Sequence, residues 1–126
     1  VNTDEDQFEV HRGLKLHSGN NFSIDKDNLG MHWSSDPKIA EQAGGIRHMP
    51  EAVRVLHAKV SKSAIEEDPQ VLKDRFVQSA DHFEKEVPLK ENAPVHVTGL
   101  TKFRETSNKE VKSRTRKYKP AREMRA

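Results

Sequence analysis

Residues 8–11 (Phe8, Glu9, Val10, His11) alternate apolar and polar with a period of two, and Arg12-Gly13 ends the run, which predicts a strand. Residues 53–60 give the strongest strand signal, with Val53 and Val55 on one side and Leu56, Ala58 and Val60 on the other. Both sides are partly apolar, as expected of a strand inside a sheet. Residues 29–33, 87–89 and 95–98 predict shorter strands, the last two separated by a turn over 90–94. The helical period appears twice. Ser34-Ser35-Asp36-Pro37 offers a hydroxyl or carboxylate cap with proline at the first helical position. Ile39, Ala40 and Ala43 follow as an apolar stripe, and Gly44-Gly45 stops it. A second helix is predicted over 69–83, where Val71, Leu72, Phe76 and Ala80 recur at helical spacing. Residues 17–28, rich in Ser, Asn, Gly and Asp, read as a polar loop anchored by Phe22 and Ile24. About five short strands with two or three helices, not in regular alternation, predict an α+β domain with a small split or curved sheet.

The chain has 126 residues, enough for one domain with a modest core. Its hydrophobic share is 33%, low enough to predict that part of it packs loosely. There is no cysteine, which excludes disulfides, a thiolate nucleophile and a cysteine zinc site, and suits a reducing cytoplasm. No apolar run approaches the ~18 residues of a membrane span, and the polar, acidic start does not read as a signal sequence. The expectation is a cytoplasmic protein without membrane contact. A formal charge of +2 hides an asymmetry: residues 1–100 carry 12 basic and 17 acidic side chains, and residues 101–126 carry 10 and 3. Little apolar surface is available over 109–125 to offset the entropy of ordering. The expected organisation is a folded body over 1–103 and a basic, flexible tail over 104–126, able to touch RNA, DNA or an acidic protein.

Glu84 and Glu86, spaced i, i+2 before an apolar run, fall on one face of an extended segment and repel each other unless cations or hydroxyls partner them. Arg12 brings a planar guanidinium suited to bidentate binding of a pyrophosphate, and Gly13 lets a ligand approach the backbone. If Ser35 or Asp36 caps the helix, Ser34 is left to hydrogen-bond a glutamate. Trp33 is a core residue or, facing a cleft, a stacking platform, with Phe22 a similar candidate; His11 and His32 are potential neighbours of the same ligand. No histidine has a partner at a recurrent ligand spacing, and no P-loop or Gly-x-Gly-x-x-Gly run is present, so no metal is expected.

Three segments together resemble the mono-ADP-ribosyltransferases with an Arg–Ser–Glu active site, in particular the small versions encoded by bacteria and bacteriophages. Val10-His11-Arg12-Gly13-Leu14 looks like the family's first core strand, with its NAD-binding arginine at Arg12. Residues 30–40 look like the hydroxyl-bearing strand and following helix, with the first serine at Ser34. Glu84-Lys85-Glu86-Val87-Pro88-Leu89, followed by residues 95–98, looks like the Glu-x-Glu loop and its closing hairpin. The resemblance covers roughly residues 8–100. It implies an ADP-ribosyltransferase-like fold, with Glu86 as catalytic glutamate, Glu84 selecting arginine as acceptor, and NAD held by His11, Arg12, Gly13, Trp33, Ser34 and Ser35. NAD would be consumed as substrate, its ADP-ribose passing to an arginine of a host protein. Two other functions stay open: ADP-ribosylation of nucleic acid, and a catalytically silent interaction or inhibitor module. Asp36 departs from the family, which often has a third hydroxyl there, and the segment between Arg12 and Ser34 is short.

Overall fold

The computed structural model describes residues 7–15, 32–76 and 86–126. Its strands are β1 (Gln7–Lys15), β2 (His32–Ser34), β3 (Val53–Ser61), β4 (Glu86–Pro88), β5 (Pro94–Glu105) and β6 (Val111–Arg125). They form one antiparallel sheet in the order β4-β2-β1-β3-β5-β6. With the short helices α1 (Pro37–Ala43) and α2 (Pro69–Phe76), this is a mixed α+β fold. The sheet is continuous rather than split. The register shifts between β3 and β5 at His57/Ala58 and between β5 and β6 at Val97/Gly99, as an extra residue in one strand would produce. The expected loop over 17–28, residues 29–31, the helix beyond Phe76 and Glu84 lie outside the described residues.

β3 is central and buries both faces, as its two-sided apolar pattern requires. Val53 and Val55 pack with Ala40 of α1 and Phe103 of β5. Leu56, Ala58 and Val60 join Val10, Trp33, Val95 and Val97 in the larger core on the other face. Helix α1 starts where its sequence says: the Asp36 carboxylate accepts the Lys38 N–H at 2.9 Å, and Pro37 opens the first turn. It ends at Gly44, and Gly45 follows with φ 88°, a conformation that favours glycine. Gly13 lets this helix lie directly on β1, because a Cβ there would stand 1.7 Å from the Ala40 carbonyl oxygen.

The segment expected to be a flexible tail is instead the longest of the described strands. β6 runs antiparallel to β5 from the pair Glu105↔Val111 to the pair Pro94↔Arg125. The intervening turn is closed by Thr106 N–H to Glu110 O at 2.8 Å and Lys109 N–H to Thr106 O at 2.9 Å. Backbone pairing supplies the order that apolar periodicity does not. Met124 and Ala126 then bury in the larger core, and the Ala126 N–H donates to Ala93 O at 2.9 Å. Lys112-Ser113-Arg114-Thr115-Arg116 alternates cation and hydroxyl, and that period of two was the available strand signal. Among the described residues, no helix is long and apolar enough to cross a membrane.

Candidate functional site

A cleft of about 290 Å³ opens where β4, β2 and β1 meet beneath α1. It is lined by His11, Arg12, Gly13, Trp33, Ser34 and Glu86 together with Ile39, Ala40 and Ala43 of the helix. Register accounts for the convergence. Ser34 is the strand partner of both His11 on β1 and Glu86 on β4, so these three side chains share one face of the sheet. Segments more than 50 residues apart in sequence thus meet through pairing of adjacent strands.

Each expected site residue has a distinct setting. One carboxylate oxygen of Glu86, Oε2, is buried without a hydrogen-bond partner among the described residues. A buried acceptor in that state carries a desolvation cost that a donor from a ligand would relieve. The Ser34 hydroxyl accepts the Asp36 N–H at 3.0 Å, so this serine belongs to the turn that leads into α1. Asp36 itself is committed to the helix cap, which gives its departure from the family pattern a structural role. Alternation along β1 sends the Arg12 side chain off the face opposite His11, alongside Val10 and Leu14. Arg12 nevertheless borders the cleft, half-buried, and desolvation lowers its pKa from the usual arginine value.

Trp33 is 2% exposed and belongs to the larger core, so it walls the cleft and is not displayed for stacking. Ser35 is exposed and is not part of the lining. His11 is drawn into a different arrangement. Its Nδ1 lies 2.7 Å from Nδ1 of His57, and His57 Nε2 lies 2.6 Å from the Thr101 hydroxyl, which lies 2.7 Å from the Thr115 hydroxyl. The partner of His57 on β5 is Gly99, which presents no side chain, and the imidazole reaches diagonally to Thr101. Glu86, Ser34, His11, His57, Thr101 and Thr115 therefore run as a polar line, one residue from each of the six strands.

Contact between two Nδ1 atoms requires one to donate and the other to accept, so the two rings cannot both be imidazolium. The electrostatics agree. Burial lowers the pKa of both histidines from 6.5; His11 lowers His57 further, while Glu9 opposes the shift at each ring and Asp36 at His11. Sequence reasoning missed His57, Thr101 and Thr115. The signal was present for His57, which falls in phase with Val53 and Val55 on the α1 side of the sheet. Among the described residues, no group of three or more His, Asp or Glu side chains is arranged to hold a metal ion. Compared with protein-family models, curated proteins and solved structures, the chain matches none of them.

Proposed function

We propose that the cleft binds the nicotinamide–ribose end of NAD and that the protein transfers ADP-ribose to an arginine side chain of another protein. The observation that carries this reading is the buried, unmatched Glu86 oxygen in a cleft shared with Ser34 and Arg12. A carboxylate so placed accepts a hydrogen bond from a ribose hydroxyl and stabilises positive charge at the adjacent anomeric carbon. At about 290 Å³ the cleft suits a nucleoside-sized part of the substrate, with the remainder over open surface.

The chemistry is a substitution at carbon. The bond from ribose C1′ to the nicotinamide nitrogen breaks, and its electron pair leaves with neutral nicotinamide. The oxocarbenium-like centre is attacked by a nitrogen of the acceptor guanidinium, whose proton passes to the Glu84 carboxylate as the new C–N bond forms. Glu86 faces the developing cation. Glu84 engages the acceptor guanidinium, whose pKa above 12 makes orientation and desolvation by a carboxylate necessary before attack. Arg12 holds phosphate oxygens. The order of the three motifs and their resemblance to the Arg–Ser–Glu enzymes support these roles, as does a cleft in which Ser34 and Glu86 share one face and Arg12 stands at the border.

The test is nicotinamide release from NAD by the purified protein, with and without an arginine-bearing acceptor. Glu86→Gln keeps the size of the side chain and removes its charge, so both hydrolysis and transfer fall by about 10²–10³-fold. Glu84→Gln loses transfer and keeps hydrolysis, because water needs no guanidinium clamp. Full turnover in Glu86→Gln removes the proposed catalyst. Absence of turnover in the unaltered protein leaves a catalytically silent binding module.

A further inference from the structure

The half of the sheet away from the cleft carries a surface of a different kind. Strand pairing sets Arg54 of β3 opposite Lys102 of β5, and Lys102 opposite Arg114 of β6. In neighbouring rows of the same face, Arg104 pairs with Lys112, and Arg116 stands opposite Leu100. Six cations from three strands thus project to one side, on a grid of about 4.8 Å between strands and about 6.8 Å along them. Five of them line an open depression of about 710 Å³ bordered by a single carboxylate, Glu51.

Like charges directly opposite each other on a sheet are destabilising. Here they are not neutralised locally: among the described residues, none of the six is within ion-pair distance of a carboxylate. Arg54 is steadied by donating to the Glu51 and Val53 carbonyl oxygens at 3.0 and 2.8 Å. Along β6 these cations alternate with Ser113 and Thr115, whose side chains point to the opposite face. A concentration of guanidinium and ammonium groups with this spacing is complementary to a row of phosphates.

We infer that the β3–β5–β6 face is a docking surface for duplex nucleic acid, gripped through its sugar–phosphate backbone. The duplex is favoured over an unpaired strand because the patch has no exposed aromatic side chain on which bases could stack. Tyr118, the sole tyrosine, is half-buried against the core and covered by Arg122 at 4.2 Å from its ring centre. An extended face with phosphate contacts alone predicts binding that is indifferent to base sequence. This surface is separate from the cleft, and the inference stands without the reading of the cleft as an NAD site.

The experiment is fluorescence anisotropy of the full chain with labelled 20-base-pair DNA and RNA duplexes, a single strand of the same length and a polyglutamate peptide, across a salt series. With six phosphate contacts, the plot of log affinity against log salt for B-DNA has a slope of about −5. Lys102→Gln/Arg114→Gln/Arg116→Gln makes that slope shallower by about 3, and lowers duplex affinity at least tenfold at low salt. The charge-matched control Lys38→Gln/Lys62→Gln/Lys90→Gln, on exposed residues off this face, leaves both unchanged. Circular dichroism melting checks that each variant is folded, and the single reversal Lys112→Glu serves if the triple variant is not. An equal loss in the control overturns the inference, since net charge then suffices. So does tighter binding of polyglutamate, which marks an acidic protein as the partner, or of the single strand. Comparable affinity for both duplexes supports recognition of the backbone, and a preference for one duplex names its source.

Discussion

The β4–β2–β1 half of the sheet and the β3–β5–β6 half carry polar groups in opposite ways. In the first, a few groups are enclosed beneath α1, where each has one setting and one Glu86 oxygen is buried without a partner among the described residues. In the second, six cations share an open face. Enclosure makes single groups decisive, because the local dielectric is low and each lost partner is felt in full. Exposure makes them additive and sensitive to salt. The His11–His57 pair lies on the boundary, on β1 and β3, and belongs to the enclosed type.

If the halves are independent, Gly13→Ala separates them most sharply. The added carbon collides with the Ala40 carbonyl and forces α1 off β1, a cost of about 3 kcal/mol at the upper end of ordinary overpacking. Thermal denaturation is expected to record this loss, and nicotinamide release to disappear, while duplex binding persists at temperatures where the protein is folded. A parallel fall in duplex affinity would break the comparison. Thr101→Val acts between the halves. It deletes the hydroxyl that joins His57 to Thr115 and leaves His57 Nε2 short of that partner, a destabilisation on the order of 1–2 kcal/mol in chemical unfolding. Unchanged stability would mean that the polar line contributes nothing to the sheet.

The smallest effect is a dependence on pH. Both histidines have folded-state pKa values below 6.5, so between those values and 6.5 the unfolded chain binds more protons than the folded one. Stability is therefore fully present above about pH 6.5 and declines as the pH falls toward the folded-state values. His57→Gln removes one lowered group and the repulsion from its neighbour. Its urea midpoint is expected to vary less between pH 7 and pH 5 than that of the parent; an identical slope would show that the pair is solvated in solution.

The sequence was most legible where side chains alternate with burial. Residues 53–60, the Asp36-Pro37 helix start and the Gly44-Gly45 stop all lie where local chemistry leaves few alternatives. The cleft was legible in part through the order of its motifs: pairing in register brings Ser34 and Glu86 to one face beside His11, while alternation turns the Arg12 side chain to the other face and leaves it at the border of the cleft. Trp33 was ambiguous because a bulky aromatic suits core and cleft alike, and burial assigns it to the core. β6 was hidden by its charge. Hydrophobic pattern tracks what a segment buries, and this strand buries little except at Met124, so its order comes from a backbone ladder that side chains do not announce. The histidine pair was hidden for a related reason, being joined only after β1 and β3 align over 46 residues of separation.

The length of β6 has one more consequence. Among the described strands it forms one margin of the sheet, and a long margin is an open template onto which another extended chain can add. Lysine and arginine at Lys112, Arg114, Arg116, Lys117, Lys119, Arg122 and Arg125 make a second copy of the same strand a poor candidate, because aligning two such margins brings cation against cation. Neutralising them removes that electrostatic guard, and strand-to-strand aggregation becomes the characteristic failure of a protein stripped of its charge there.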